Sequence, residues 1–363
     1  MKTIGIITFH TADNYGAVLQ AYALQEYLNS DSQYSAQIIN FCTDVHTSEY
    51  PILPRLRGNI CRWLVLYTFH LCEKKQLSRK KQGFHSFRQN HLKLTERYSE
   101  PNAFCQNPPK FDVYISGSDQ VFHPNVRYSN VYYLGFNKNN SKKIAYAPSL
   151  GITRLSADDE IRISGYLKDF DSLSCRESQG ASILRRLSGI NVPTVVDPVF
   201  LLTRNQWEVI AIAPQSRTPY IFVYDLCGGS RLQKIAKRVQ IETGLRIVTV
   251  SASVKKDYPL YQAIYDCSPE ELLGYIKNAS YVVTDSFHGT ALSIRFGTKV
   301  ITYIAQPTLS SRIVSLIDSL GLSEQIVSNI DSFDFKRMKF NEYNDKLEEL
   351  ISASKDYLKI ALS

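Results

Sequence analysis

The chain has 363 residues, of which 44% are hydrophobic and 21% are charged. This composition is typical of a globular protein large enough for two cores, and it excludes an intrinsically disordered chain. The net charge of +8 is concentrated, because residues 55–81 hold eight basic residues and one acidic residue.

The cysteines and the apolar runs indicate the cellular compartment. The seven cysteines are odd in number and show neither a CxxC pair nor the spacing of a zinc site, which favours free thiols in a reducing cytoplasm. The chain has no run of 18 apolar residues, and residues 1–8 are typical of a buried strand without a signal-peptide cleavage site. We therefore expect a cytoplasmic protein with no membrane-spanning helix.

The first predicted unit is a strand, a loop and a helix. Residues 4–8 are apolar, and residues 17–28 repeat small and apolar side chains on one helical face. In the loop between them, Asn14 and Gly16 would let the backbone approach an anion closely. The spacing is not GxGxxG, so we predict no dinucleotide site, and a simple strand-to-helix turn is the alternative.

The basic segment, residues 55–81, has an apolar centre. Residues 60–72 amount to about three helical turns of mostly large apolar side chains, flanked by arginines and lysines. This length is too short to cross a bilayer but suits a helix lying on the inner face of the plasma membrane. A helix packed on its own domain is the alternative. We do not expect a nucleic-acid partner, because no recognised binding motif accompanies the charge.

Later strands end repeatedly in small polar residues. The apolar run 111–115 leads into Ser116-Gly-Ser-Asp-Gln120, and comparable strand ends follow as far as residue 199. Because open α/β sheets bind ligands at the carboxyl ends of their strands, this recurrence predicts a continuous cleft. Sheet periodicity is lost between 203 and 219 and restarts at 220. We therefore predict domains at 1–203 and 204–340, with a terminal helix in 341–363 that packs back on the first domain.

The stretch 281–304 predicts a strand, a helix and a further strand, with His288 in the first turn of the helix. Helix N-termini attract anions, so His288 is placed to meet a phosphate or a carboxylate. A histidine that only bonds nearby backbone is the alternative. Asp285 either caps the helix or orients His288.

The order of these residues carries a resemblance. Seven short motifs follow one another: Asn14-Tyr-Gly-Ala-Val-Leu-Gln20, Ser116-Gly-Ser-Asp-Gln120, Ala145-Tyr-Ala147, Arg176-Glu177, Val196-Asp-Pro198, Thr284-Asp-Ser-Phe-His-Gly289 and Ser311-Arg312. In this order they resemble the polysaccharide pyruvyl transferase family over nearly the whole chain. The resemblance implies an α/β, GT-B-like fold, in which two Rossmann-like domains with parallel sheets face each other across a cleft. The first domain would be the acceptor side and the second the donor side.

The resemblance also implies a reaction. The enolpyruvyl group of phosphoenolpyruvate would move onto hydroxyls of a sugar, forming a pyruvate ketal and releasing phosphate. The implied acceptors are cell-surface glycans, such as capsule or exopolysaccharide, or their lipid-linked precursors. Phosphoenolpyruvate would be a co-substrate, and we expect neither a cofactor nor a metal. The alternatives are a GT-B nucleotide-sugar glycosyltransferase and a noncatalytic, membrane-associated assembly protein.

Site residues follow from the motifs. His288 matches the family's histidine and is the candidate acid or base. In several members an arginine precedes that histidine by two positions, where this chain has Ser286, so Arg312 and then Arg295 are the candidates to replace its charge. The candidate donor-binding residues are Ser286, Gly289, Arg295 and Arg312. The candidate acceptor-binding residues are Asn14, Tyr15, Gly16, Ser118, Asp119 and Gln120.

Overall fold

A computed structural model describes residues 1–43, 74–137, 141–227, 229–252, 263–305, 311–340 and 342–363, together with 60, 63, 64, 67, 68 and 71. Its strands form a six-stranded and a five-stranded sheet, and every strand pair is parallel. The carboxyl ends of the strands within each sheet therefore lie along one edge.

The six-stranded sheet has the order β3-β2-β1-β4-β5-β6. Its central strand β1 is apolar on both faces, and Ile4 and Ile6 are fully buried, as expected for the middle of a parallel sheet. The strands are β1 (Lys2–Ile7), β2 (Tyr34–Phe41), β3 (Leu94–Tyr98), β4 (Val113–Ser116), β5 (Lys142–Ala145) and β6 (Ser172–Leu173).

Six α-helices with described bounds and two short 3-10 turns accompany this sheet, besides the helical positions between residues 60 and 71. Asn14 caps the first helix by accepting a hydrogen bond from the Ala17 N–H at 3.2 Å. The elements are α1 (Tyr15–Asn29), α2 (Lys74–His91), α3 (Pro101–Gln106), α4 (Ser129–Tyr132), α5 (Ala157–Leu167), α6 (Ser178–Ser188) and the turns Gln120–Phe122 and Pro198–Phe200. We call the elements from β1 to Pro198–Phe200 the first half.

The five-stranded sheet has the order β11-β10-β9-β7-β8. We call the elements from α7 to β11 the second half. Its strands are β7 (Tyr220–Asp225), β8 (Arg246–Ser251), β9 (Tyr281–Thr284), β10 (Val300–Tyr303) and β11 (Ile326–Val327). Its helices are α7 (Arg204–Ile210), α8 (Ser230–Thr243), α9 (Pro269–Asn278), α10 (Phe287–Phe296) and α11 (Ser311–Leu320), and short 3-10 turns lie at Ser323–Gln325 and, after β11, at Phe335–Arg337.

The last helix, α12 (Asn344–Leu362), lies on the first half. Its Ser354 hydroxyl accepts a hydrogen bond from the Val196 N–H at 2.9 Å, and its Tyr357 hydroxyl donates to the Ala145 carbonyl at 2.9 Å. Leu347, Ile351 and Leu358 of this helix are buried in a hydrophobic cluster that contains residues of both sheets. That shared core joins the two halves.

Most of the basic segment 55–81 before α2 lies outside the described residues, apart from six helical positions. Among these six, Ile60, Leu64 and Leu71 are exposed, and the Trp63 and Tyr67 rings stack with centroids 4.9 Å apart. Within the described chain, no helix is long and apolar enough to cross a bilayer.

Candidate functional site

A cavity of about 850 Å³ lies between the two halves. Residues from the carboxyl ends of both sheets line it, which is where open parallel sheets bind ligands. The first half contributes Asn14, Asp119, Gln120, Asn125 and Arg127 among others. The second half contributes Tyr224, Cys227, Arg231, Ser286, His288 and Arg312 among others.

A second cavity, of about 890 Å³, lies at the other end of the first sheet. Its walls are the first residues of β1 and β2, the end of α1, and α12, including Lys2, Tyr34 and Lys355. It lies at the amino ends of these strands. The cleft between the halves is therefore the candidate site.

Strand β9 and helix α10 place His288 in the cleft. After the strand, the Ser286 hydroxyl accepts a hydrogen bond from the Gly289 N–H at 3.2 Å and caps the helix. His288 follows in the first turn, with its side chain 10% exposed. The Phe287 ring lies nearly perpendicular to the imidazole, at 5.1 Å between centroids.

The imidazole of His288 is inserted against the first half. Its Nε2 lies 3.5 Å from Oδ2 of Asp197, is buried, and makes no hydrogen bond to any described residue. On its other side the ring contacts Gly16 so closely that a Cβ there would lie 2.0 Å from Nδ1. Nε2 therefore faces Asp197 and Nδ1 borders Gly16, so Nδ1 is the ring nitrogen with no carboxylate beside it in the described chain.

Asp197 is fully buried and held by three hydrogen bonds. Its Oδ2 accepts from Arg176 Nη1 at 2.5 Å and from the Ser118 hydroxyl at 2.9 Å, and its Oδ1 accepts from the Val199 N–H at 3.1 Å. Burial by itself raises the pKa of this carboxyl. His288 and Arg176 outweigh that effect and hold the pKa well below its ordinary value, so Asp197 is an anion.

Arg176 connects Asp197 with the cleft wall. Its guanidinium carbon lies 4.4 Å from the Phe287 ring centroid, and its Nη2 lies 3.7 Å from Oδ1 of Asp119. Both Nε and Nη2 are buried without a hydrogen-bond partner in the described chain. This arginine therefore bridges two carboxylates with part of its donor capacity unused.

Arg312 brings a poorly compensated positive charge to the cleft. Burial and the nearby Arg176 lower the pKa of its guanidinium. The carboxylates of Asp119, Glu177 and Asp197 raise that pKa, but their combined effect is smaller. Burial and the charge of Arg312 also lower the pKa of His123. Because an arginine stays protonated, such a site stabilises a bound anion.

Asp119 has a strained backbone at the cleft. Its φ of 73° and ψ of −171° fall in a region populated almost solely by glycine. The residue is held there by its carbonyl, which accepts from the Ser149 N–H at 2.8 Å, and by its carboxylate, which accepts from the Gln120 N–H at 2.9 Å. Strain of this kind is concentrated at functional sites.

The structure brings many of the predicted site residues to the cleft. Those that line it are Asn14, Asp119, Gln120, Ser286, His288 and Arg312. Four others support the wall from behind. Gly16 contacts the His288 ring, Ser118 bonds Asp197, and Gly289 packs against Thr284 and Tyr224. Tyr15 is buried, and its hydroxyl donates to the Cys267 carbonyl at 2.7 Å.

Two sequence expectations are corrected. Arg295 lies seven residues after His288, about 10.5 Å along the helix axis, and is not among the described residues that line the cleft. Its Nε donates to the Leu202 carbonyl at 2.6 Å and its Nη1 pairs with Glu348 at 3.1 Å. Asp285 does not cap α10, because Ser286 does.

The carboxylate of Asp285 instead accepts from the N–H groups of Leu226, at 2.9 Å, and Cys227, at 2.7 Å, and so fixes the loop after β7. Arg176 and Asp197 lie within two of the seven sequence motifs, but no role was predicted for them. Arg127 and Arg231 were not predicted as site residues, because isolated arginines carry no local signal.

Two parallel α/β units that face each other across a ligand-sized cleft define the fold class, a GT-B-like fold, as predicted. The S. aureus MnaA-UDP co-structure is similar at a TM-score of 0.51 and 10% identity, over 99% of this chain and 88% of that chain. UDP-GlcNAc 2-epimerase from Methanocaldococcus jannaschii matches at a TM-score of 0.47 and 12% identity, over 97% of this chain and 92% of that chain. E. coli heptosyltransferase WaaC with ADP-2-deoxy-2-fluoro heptose matches at a TM-score of 0.41 and 12% identity, over 98% of this chain and 100% of that chain.

These likenesses concern the fold alone. No curated protein matches the chain in sequence. The model of the polysaccharide pyruvyl transferase family matches residues 14–306, and the chain belongs to this family. The predicted family is thereby confirmed, and the chain is a transferase.

Proposed function

We propose that this protein transfers the enolpyruvyl group of phosphoenolpyruvate to a sugar, forming a pyruvate ketal and releasing phosphate. The acceptor is a cell-surface glycan or its lipid-linked precursor. The observation that carries the proposal is a histidine and several arginines, Arg127, Arg231 and Arg312, in the cleft of a chain of this family.

The arginines suit the donor. Phosphoenolpyruvate carries a phosphate and a carboxylate, and guanidinium groups bind both in a bidentate manner. Arg312 lies in the cleft with Ser286 and supplies a positive charge that the serine lacks. We infer that Arg312 binds the donor, and that the phosphate and the carboxylate are shared among the three arginines.

The reaction needs an acid and a base, and Nδ1 of His288 can be both. In the first step an acceptor oxygen bonds to C2 of the donor, and C3 takes a proton from His288. In the second step another hydroxyl oxygen bonds to C2 while the bond from C2 to the phosphate oxygen breaks. One hydroxyl proton returns to His288, and the other leaves with the phosphate. Donor and diol thus become ketal and inorganic phosphate.

The first half provides groups for the acceptor. Asn14, Asp119 and Gln120 line the cleft, and their amide and carboxylate groups are suited to bonding sugar hydroxyls. These residues lie on the wall opposite α10. An acceptor bound there would meet the donor near His288, without any cofactor.

The test is a reaction of the protein with phosphoenolpyruvate and candidate lipid-linked oligosaccharides. We expect phosphate release that depends on the acceptor, and product with the mass of a pyruvate ketal. His288→Ala should lose this activity, whereas His85→Ala, an exposed histidine in α2, should keep it. Turnover retained in His288→Ala would refute the assigned role.

A nucleotide-sugar glycosyltransferase is distinguished by its donor. Phosphoenolpyruvate at 100 times its dissociation constant should stabilise the fold by about 2.7 kcal/mol, while uridine and guanosine diphosphate sugars should leave the melting temperature unchanged. In Arg312→Gln, the same stabilisation should require at least ten times more phosphoenolpyruvate. Arg186→Gln, at an exposed pair with Glu160, is the matched control. A shift produced by the nucleotide sugar alone would favour the alternative.

We further propose that the basic segment 55–81 contacts a membrane, which would suit a lipid-linked acceptor. The supporting observation is the exposure of Ile60, Leu64 and Leu71 in a stretch that is rich in basic residues, of which Lys80 is buried and Arg79 pairs with Asp266 and Glu271. Anionic vesicles should sediment the protein, and Leu64→Ser with Leu71→Ser should weaken this binding. Ile241→Ser, an exposed isoleucine of α8, should not. Equal binding by the wild type, the double leucine variant and Ile241→Ser would contradict the proposal.

A further inference from the structure

We propose that Asp197 and Arg176 are positioning residues for His288. Asp197 holds Nε2 so that Nδ1 faces the reactants, and Arg176 holds Asp197. This inference rests on the proposed role of His288 in proton transfer. It adds two residues from the first half to a histidine of the second half.

The first argument is incomplete hydrogen bonding. His288 Nε2 and Arg176 Nε and Nη2 are all buried, and none of them has a hydrogen-bond partner among the described residues. Buried polar groups in a structural ion-pair cluster are normally satisfied, because each unmade bond costs about 1–3 kcal/mol. Catalytic hydrogen bonds are often long without substrate and shorten in the complex. The 3.5 Å separation of Nε2 and Asp197 fits that pattern.

The second argument is geometry. Asp197 caps the 3-10 turn Pro198–Phe200 through the Val199 N–H, and is also held by Arg176 and Ser118. It therefore has little freedom to move towards another partner. His288 is fixed by the first turn of α10 and by its contact with Gly16. A rigid carboxylate thus faces one nitrogen of a ring that is restrained from both sides.

The third argument is that the pair crosses the cleft. Asp197 belongs to the first half and His288 to the second, so their contact depends on how the two halves pack. A reactant bound between the halves would meet a histidine whose orientation is set from the opposite wall.

The charges around His288 set the expected pH effect. Asp197 is the anion within 4 Å of the ring in the described chain. Behind it lies Arg176, Arg312 lines the same cleft, and Asp119 lies at the edge of the cluster. Without the charge of Asp197, a protonated imidazole would lie near two guanidinium groups.

Asp197→Asn keeps the side-chain shape and removes the charge. We expect kcat/KM to fall by about 10²-fold or more, and its dependence on pH to change, because the charge beside the ring is gone. Glu270→Gln is the matched control. It removes the carboxylate from a similar pair, His91 with Glu270 at 3.4 Å, which also joins the two halves but lies outside the cleft. Its pH profile should not move.

A second measurement needs no variant at the buried carboxylate. Nitrogen NMR of the wild-type imidazole, assigned with His288→Ala, should show that the neutral ring carries its proton on Nε2, the nitrogen that faces Asp197. A neutral ring with its proton on Nδ1 would overturn the inference. So would an Asp197→Asn enzyme that folds and loses activity equally at all pH values.

The two proposals can fail separately. If His288→Ala remains active, the proposed role of the histidine falls and the positioning role falls with it. If His288→Ala is inactive while Asp197→Asn keeps the wild-type pH profile, the positioning role alone is wrong.

Discussion

Gly16→Ala tests whether the cleft depends on the contact between α1 and His288. A Cβ at this position would lie 2.0 Å from Nδ1 and 2.6 Å from Cε1 of the imidazole, whereas ordinary contacts begin at 3.4 Å. The ring therefore has to move by about 1.4 Å. Since Asp197 lies on the other side of the ring, 3.5 Å from Nε2, the imidazole cannot retreat straight from the new methyl group and has to turn, which alters that pairing. The loss should approach that of general acid–base catalysis, about 10²–10⁴-fold in kcat/KM.

The stability of Gly16→Ala should fall much less than its activity. Gly16 lies in the first turn of α1, and alanine is favoured over glycine in helices by up to about 1 kcal/mol, which offsets part of the cost of moving the ring. Gly165→Ala is the matched control, because this helical glycine of α5 has no described atom within 4 Å of an added Cβ. It should gain stability and keep full activity.

The assay is phosphate release with donor and acceptor, beside urea unfolding of both variants. Activity of Gly16→Ala within threefold of wild type would show that the ring does not need its observed place. The reasoning would then be refuted.

Two further predictions concern the strained and the buried charged groups. Asp119→Gly should be more stable than Asp119→Ala by about 1–3 kcal/mol in urea unfolding. Both variants lose the carboxylate, but only glycine relieves the backbone strain. A more stable alanine variant would show that no strain is present. Burial lowers the pKa of Lys80 to about 8, so between pH 8 and 10.5 the unfolded chain holds a proton that the folded chain has lost. The free energy of unfolding, measured relative to Lys80→Met, should therefore rise by roughly 3 kcal/mol as the pH rises through that range, and a flat difference would contradict the shift.

Much of the site could be predicted from the sequence. The placement of His288 follows from local rules, because an apolar strand, a capping serine and a helical apolar pattern are adjacent in the chain. The loops that carry Asn14 and Asp119 were predicted in the same way, from polar residues at strand ends. The prediction that Arg295 binds the donor failed, because Arg295 shares a helix with His288 but lies two turns further along.

The order of strands, loops and helices, the two-sheet architecture and the family were determined by the sequence alone, because periodicity and motif order are properties of neighbouring residues. The partners of His288 were decided by the tertiary structure. Gly16, Arg176 and Asp197 lie between 91 and 272 positions from it in the chain, and no local pattern reports their contact. Only the packing of the two halves brings the anion to the imidazole, since burial makes an unpaired charge costly and so selects the arrangement in which Arg176, Asp197 and His288 meet.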